Sequence, residues 1–326
     1  MPALGVVGTM VWDRIHARDV RQTPVEEWGG IAYALSAAAA ACPPGWSIVP
    51  IVKIGRDLEE EAFRFLRRLP GLDLVTGVRV VPEPNNRVEL RYQDRERRCE
   101  QMSGGVPPWT FAELEPILPR LDALYINFIS GFEFGLDVAQ RVRAVFKGPI
   151  YADLHSLFLG IDAAGWRTLQ PLAAWRNWLR CFDIVQVNED ELGMLSQAWG
   201  DPWRFAAEAV NRELRLLIVT LGPRGMAYVA APEYGAGPAH WQREDALSAV
   251  VLPAAARSAK FPPPSGEIEG DPTGCGDVWG ATCFCALLAG QTLDGAASAA
   301  TEAATRNVRY HGATGLFDYL RGRIPT

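Results

Sequence analysis

The chain has 326 residues, of which 48% are hydrophobic and 21% charged. This is ordinary globular usage, and it argues against disorder or a fibrous repeat. The formal net charge is −6, and the basic cluster Arg95, Arg97, Arg98 is broken by Glu96 and followed by Glu100, so no nucleic-acid-binding stripe is expected.

The first strand-like run, Leu4–Val7, follows no basic and apolar leader, which implies a cytoplasmic protein. Residues 31–42 form the longest apolar stretch; it contains Ser36 and is too short and alanine-rich to span a bilayer, so no membrane partner is expected. Short β-branched runs then alternate with amphipathic segments. Leu4–Val7 precedes Ile31–Ala41, Ser47–Ile54 precedes Leu58–Leu69, and Ala123–Phe128 precedes Leu136–Phe146. Further on come Ile150–Ala152, Ile184–Val187 with Glu189–Trp199, then Leu216–Leu221, and two closing helices around Ala281–Leu288 and Leu293–Val308. Such alternation predicts an α/β fold with a doubly wound, mostly parallel sheet flanked by helices, in one domain over residues 1–326.

One stretch breaks the rhythm. Between Val78 and Gln101 strands follow one another without a helix, and Arg87, Glu89 and Arg91 alternate with Val88, Leu90 and Tyr92. Together with an earlier segment these strands, approximately residues 11–28 and 78–102, are expected to form a small β-sheet lid over the open edge of the main sheet, where ligands bind in such folds. Residues 230–264, rich in Ala, Gly and Pro, carry no clear pattern. The six cysteines show neither a CxxC pair nor zinc-ligand spacing, so reduced thiols are expected.

Chemistry concentrates near the end of the chain. The segment Gly270-Asp-Pro-Thr-Gly-Cys-Gly-Asp-Val-Trp-Gly280 runs straight into an apolar helix, and its glycines allow a tight turn that points unpaired N–H groups outward. Donors so placed suit a transferring phosphoryl group. Asp277 falls in the first turn, where a helix-capping carboxylate would also sit. No Gly-Lys-Ser/Thr follows, so this is not a Walker A loop. Gly5-Val-Val-Gly8 likewise supplies no dinucleotide fingerprint.

Asp271-Pro-Thr-Gly-Cys-Gly-Asp277 resembles the second signature of ribokinase-like (PfkB) kinases, usually Asp-Thr-x-Gly-Ala-Gly-Asp, with Cys275 in place of Ala and Pro272 in place of Thr. Other resemblances follow in order along most of the chain. Trp28-Gly29-Gly30 is similar to the family's Gly-Gly segment, Gly55-Arg56-Asp57 to its Gly-x-Asp element, and Asn188-Glu-Asp-Glu191 to its Asn-x-x-Glu motif. Thr220-Leu-Gly222-Pro-Arg-Gly225 is similar to its nucleotide loop. The ending Val308–Ala313 also fits, and that register puts Thr301 near an adenine.

The resemblance implies ATP-dependent phosphotransfer to a hydroxyl of a small polyol, most simply a sugar. Asp277 would be the base, and the N–H groups of Gly274, Cys275 and Gly276 would form the anion hole. Asp13, Gly29, Gly30, Asn127 and Asp153 would face the substrate, with His155 beside them. Asn188, Thr220, Gly222, Gly225 and Thr301 would bind the nucleotide, and Glu191 would hold Mg²⁺ through water. Asn188 and Glu191 equally read as a capping box. Ala34 stands where sugar kinases often place Asn, while Trp12, Trp28 and Tyr33 could stack on a sugar or base, or simply pack. A nucleoside kinase and a catalytically idle binding protein remain the alternatives, and the lid strands could pair two chains into a homodimer.

Overall fold

A computed structural model describes residues 1–16, 23–92, 98–231, 234, 256–263 and 270–324. Its strands, in chain order, are β1 (Ala3–Val7), β2 (Met10–His16), β3 (Val25–Gly30), β4 (Ser47–Gly55), β5 (Val78–Val81), β6 (Arg87–Tyr92), β7 (Arg98–Ser103), β8 (Ala123–Asn127), β9 (Ile150–Asp153), β10 (Leu159–Ile161), β11 (Arg167–Leu169), β12 (Ile184–Asn188), β13 (Leu216–Thr220), β14 (Met226–Ala230) and β15 (Arg257–Phe261). Nine of them form one sheet in the order β15-β14-β13-β12-β9-β8-β1-β4-β5. From β13 to β5 every pairing is parallel, and the two final strands add antiparallel at the other edge.

Alternation along these strands feeds two separate cores. Leu4, Val6, Tyr125, Ile184 and Ile218 pack on one face with helices Ile31–Ala41, Cys275–Leu288 and Leu293–Asn307. Val7, Leu124, Ile126, Val185 and Val219 pack on the other with helices Leu136–Val145, Trp175–Leu179, Glu189–Leu195 and Pro202–Arg212. A sheet buried on both faces needs apolar residues at nearly every position, which explains the continuous apolar runs of β1, β8 and β13. The fold is therefore the doubly wound α/β architecture expected, with its carboxyl edge free to carry a site.

The lid is a separate four-stranded sheet in the order β3-β2-β6-β7. Its expected membership needs one correction: β5 pairs with β4 in the main sheet, Val52 facing Val78, and is no part of the lid. The root of the lid is fixed by Asp57, which accepts from the Asn85 amide at 2.7 Å and pairs with Arg87 at 2.7 Å. Gly55 is needed there because a Cβ would lie 2.1 Å from the Asn85 nitrogen. A hairpin of β10 and β11, unforeseen in the sequence, covers the β7 edge. The Met102 amide donates to the Gly165 carbonyl at 2.8 Å and Gln101 bridges to Trp166. Residues 17–22 and 93–97 of the expected lid, and most of 230–264, lie outside the described residues; Arg257–Phe261 of the latter forms β15.

Candidate active site

Parallel pairing sets the catalytic edge. Asn127 ends β8 in register with Asp153 at the end of β9, and Asp153 is in register with Gln186 of β12. One strand over, Asn188 faces Thr220. Four candidate residues thus lie along the carboxyl edge, because β8 stops level with β9, and β12, two residues longer, stops level with β13.

Above this row begins the helix Cys275–Leu288, with Gly274 at its N-cap and Asp277 in its first turn. Gly274 has φ +75°, and a Cβ on it would lie 2.3 Å from the Tyr33 ring, so only glycine fits. The preceding turn is held by Asp271, whose Oδ1 accepts from the amide and the hydroxyl of Thr273 at 2.9 and 2.6 Å. Asn307 clamps it from the other side by donating to the Thr273 carbonyl at 2.8 Å. Gln186 fixes the helix against the sheet, donating to the Gly276 carbonyl at 3.1 Å and to Asp153 Oδ2 at 2.7 Å while accepting from the Tyr151 hydroxyl at 2.6 Å. Asn127 then donates to Asp277 Oδ1 at 2.6 Å. That bond aims the carboxylate along the carboxyl edge.

The expected anion hole is rearranged. The Cys275 amide donates to the Pro272 carbonyl at 3.1 Å, whereas the amides of Gly274 and Gly276 have no acceptor among the described residues. The two glycines, not Cys275, supply the free donors. The Cys275 thiol is packed under the turn, taking a hydrogen bond from Asn307, and burial first, helped by the charges of Asp271 and Asp277, pushes it up to about 11. It is no nucleophile near neutral pH.

Asp153 is 5% exposed. Burial, then the charge of Glu191, raises it to about 8, with His155 opposing, so it is largely neutral at pH 7. Glu191 closes a capping box with Asn188: it accepts from the Asn188 amide at 2.8 Å and side-chain nitrogen at 2.7 Å, and His155 Nδ1 approaches the same Oε1 at 2.7 Å. Burial lowers the His155 imidazole, but the hydrogen bond and charge of Glu191, then Asp153, more than reverse this and lift it to about 9. Glu191 is itself 2% exposed, which leaves little of it for a hydrated ion. No group of three His, Cys, Asp or Glu that could hold a metal occurs among the described residues.

In the loop after β13, Gly222 and Gly225 both take positive φ, and a Cβ on Gly225 would lie 2.0 Å from the Phe261 carbonyl oxygen. That contact sets the loop after β13 against the end of β15. Beside it opens a groove of about 290 Å³ lined by Phe261, Pro262, Ser298, Thr301 and Glu302. Thr301 is on its wall, with its hydroxyl engaged by Ala297 and Trp279.

On the lid side, Asp13 is buried, and a Cβ on Gly29 would lie 1.7 Å from its Oδ2. Gly30, at φ +57°, passes so close to Ile129 and the Thr9 carbonyl that a Cβ would meet both under 3 Å. Trp12 and Trp28 face each other across β2 and β3, so alternation turns them away from the Asp13 face. Their rings meet edge to face at 5.0 Å, and Trp28 and Tyr33 belong to the core. They pack, as does Ala34.

The sequence did not single out Gln186 or Arg167. Gln186 had a signal, being the one polar residue within the apolar run Ile184-Val-Gln-Val187. Arg167, on the covering hairpin, had none.

This architecture has known counterparts. A putative ribokinase II from E. coli superposes with a TM-score of 0.72 at 17% identity, covering 99% of this chain and all (100%) of that one. Ribokinase from Thermotoga maritima gives 0.70 at 16% identity over 99% of both chains. A pyrophosphate-dependent kinase in the ribokinase family, solved with sulfate, gives 0.70 at 18% identity over 97% of this chain and 98% of that one. At these identities the likeness establishes a ribokinase-like fold. Residues 161–318 further match the model of the pfkB family carbohydrate kinases, a span that contains β11, Gln186 and the whole Gly274–Asp277 turn. The fold is ribokinase-like, and its C-terminal part carries the match to the pfkB family model. No curated protein matches it by sequence.

Proposed function

We propose that the chain is an ATP-dependent kinase that phosphorylates a hydroxyl of a small polyol, most simply a sugar. The observation that carries this reading is the Asn127–Asp277 hydrogen bond, which sets a carboxylate beside the free amides of Gly274 and Gly276. Asp277 accepts the proton of the acceptor hydroxyl, and the two amides receive charge on the phosphoryl group. An ordinary carboxylate is a weak base for an alcohol, which is tolerable where positioning and electrostatics dominate a loose transition state. Asp153, largely neutral, can donate to a substrate oxygen, and Asp13 faces the acceptor from the lid.

The groove beside Phe261 and Thr301 suits a nucleobase, and the loop Thr220–Gly225 would follow the phosphates. Magnesium supplies charge neutralisation and would arrive on those phosphates, because Glu191 is already engaged by Asn188 and His155. A nucleoside acceptor fits the same catalytic edge. Pairing of two copies through the lid would have to use β3, since β7 is hydrogen-bonded within the chain.

The test is a donor-consumption screen over sugars, polyols and nucleosides, run with ATP and with pyrophosphate. Wild-type protein should turn over at least one acceptor with ATP, and Asp277→Asn should lose roughly 10²- to 10⁴-fold in kcat with an unchanged circular dichroism spectrum. Turnover retained in Asp277→Asn would remove the proposed base. Silence of the wild type across the panel would leave a binding protein.

A further inference from the structure

Arg167 lies on β11, the strand that packs against the lid edge. Its Nη1 donates to the Ser130 carbonyl at 2.8 Å and approaches Met102 Sδ at 3.0 Å. Its Nε and Nη2 are buried and have no hydrogen-bond partner among the described residues. Nε–H and one N–H of Nη2 share one edge of the planar guanidinium, which is the geometry that grips a carboxylate or phosphate at two points. Because Nη1 is already anchored, this edge is held in place before any ligand arrives.

Its two anchors tie Arg167 to the segments that carry the candidate site. Ser130 follows by three residues Asn127, the partner of Asp277, so at most roughly 11 Å of chain separates the two anchors. Met102 pairs with Val88, and Val88 with Asp13, which sets Met102 on the same lid face as Asp13, two strands away. Arg167 is therefore joined, through its two anchors, to the segments that carry Asp13 and Asn127, the partner of Asp277. Neighbouring Glu133 is not its missing partner. Five donors already converge on that carboxylate, from Thr9, Ile129, Gly131 and twice from Ser130.

Resting on the kinase reading above, we propose that the acceptor carries an anionic group, and that the Nε–Nη2 edge of Arg167 binds it as a fork while Asp277 takes the proton of a hydroxyl at the far end. The class is a polyhydroxylated acid such as an aldonate or uronate, or a sugar already phosphorylated at one end. Glu100, whose charge also acts on Arg167, is the competing partner within the chain.

The experiment compares acceptors of one carbon skeleton: D-gluconate, sorbitol and sorbitol 6-phosphate, with the matching ribonate, ribitol and ribitol 5-phosphate set and glucuronate against glucose. In the wild type, kcat/KM should favour a charged member of a set, the carboxylate or the phosphate arm identifying the source. Arg167→Gln should lower the charged-to-neutral ratio roughly 10- to 100-fold, and Arg167→Lys, which keeps the charge without the fork, should restore part of it. A wild-type preference for the neutral member of every set overturns the proposal. So does an unchanged ratio in Arg167→Gln when Glu100→Gln shows the same loss of melting temperature, since the arginine is then only a structural ion pair. If no acceptor is phosphorylated, yet a charged member raises the melting temperature of the wild type and not of Arg167→Gln, the anion site stands and the kinase reading fails. No such rise in the wild type overturns the anion site.

Discussion

The candidate catalytic edge and the lid wall are assembled by different means. At the edge, Asn127, Asp153 and Gln186 are direct register partners on strands buried on both faces, and the Gly274–Asp277 turn is tied to them by Gln186 and Asn127. Geometry there is inherited from the main sheet. The lid wall joins a small sheet and a three-residue hairpin strand, held by contacts such as Gln101 to the Ala164 carbonyl at 2.7 Å and the Met102–Gly165 bond. On the proposed reading, chemistry is placed on the main sheet and acceptor selection on the smaller sheet and its hairpin.

That contrast can be broken by paired substitutions, read as kcat against KM. Asp277→Asn should have the largest effect, a loss in kcat, as set out above. Next comes Gly274→Ala, which must hold an L side chain at φ +75° with a Cβ 2.3 Å from the buried Tyr33 ring. The backbone strain alone costs ~1–2 kcal/mol, and relief of the clash would swing the first-turn amides away from the phosphoryl group. We expect a fall in kcat of roughly 10²-fold together with a lower melting temperature. Unaltered kcat in a folded Gly274→Ala protein would show that the turn is not the anion site.

Gly29→Ala probes the other half. Its Cβ would occupy the place of the Asp13 carboxylate, so Asp13 must rotate off the acceptor. KM for the acceptor should rise roughly tenfold, with kcat changed less than in Gly274→Ala. An equal fall in kcat from both variants would erase the distinction between a chemical edge and a selecting wall.

The two halves were also unequally legible in the sequence. Period and apolar runs sufficed for the doubly wound sheet, because a strand buried on both faces must be apolar almost throughout. The Gly274–Asp277 turn was legible because glycine and aspartate are needed at fixed offsets within seven residues. What failed were statements that depend on long-range pairing. Val78–Val81 is as β-prone as a lid strand, and only its partner β4 decides where it goes. Trp12 and Trp28 stayed open between stacking and packing, because the sequence does not say which face of the lid Asp13 occupies. Cys275 was counted as a free donor although the Pro272 carbonyl, three residues earlier, takes its amide. Arg167 was invisible for the same reason: its partners Ser130 and Met102 are far away in sequence, and its free edge has meaning only once they are placed.

The smallest expected effect lies on the boundary of the catalytic edge and is one of stability. His155 pairs with Glu191 and is lifted to about 9 from an ordinary 6.5. A base whose folded pKa is raised contributes its stabilisation fully below the unfolded pKa and loses it as pH rises through the folded one. The pair should therefore help most at pH 6 and hardly at all by pH 9.5. Since the imidazole is 45% exposed, solvent screening reduces the contribution to about 1 kcal/mol. His155→Gln should thus lower the melting temperature at pH 6 and converge on the wild type above pH 9, in thermal melts taken across that range. A gap that stays constant or widens with pH would mean that the ring acts by packing, and that Glu191 is left available for a cation at the phosphate-handling edge.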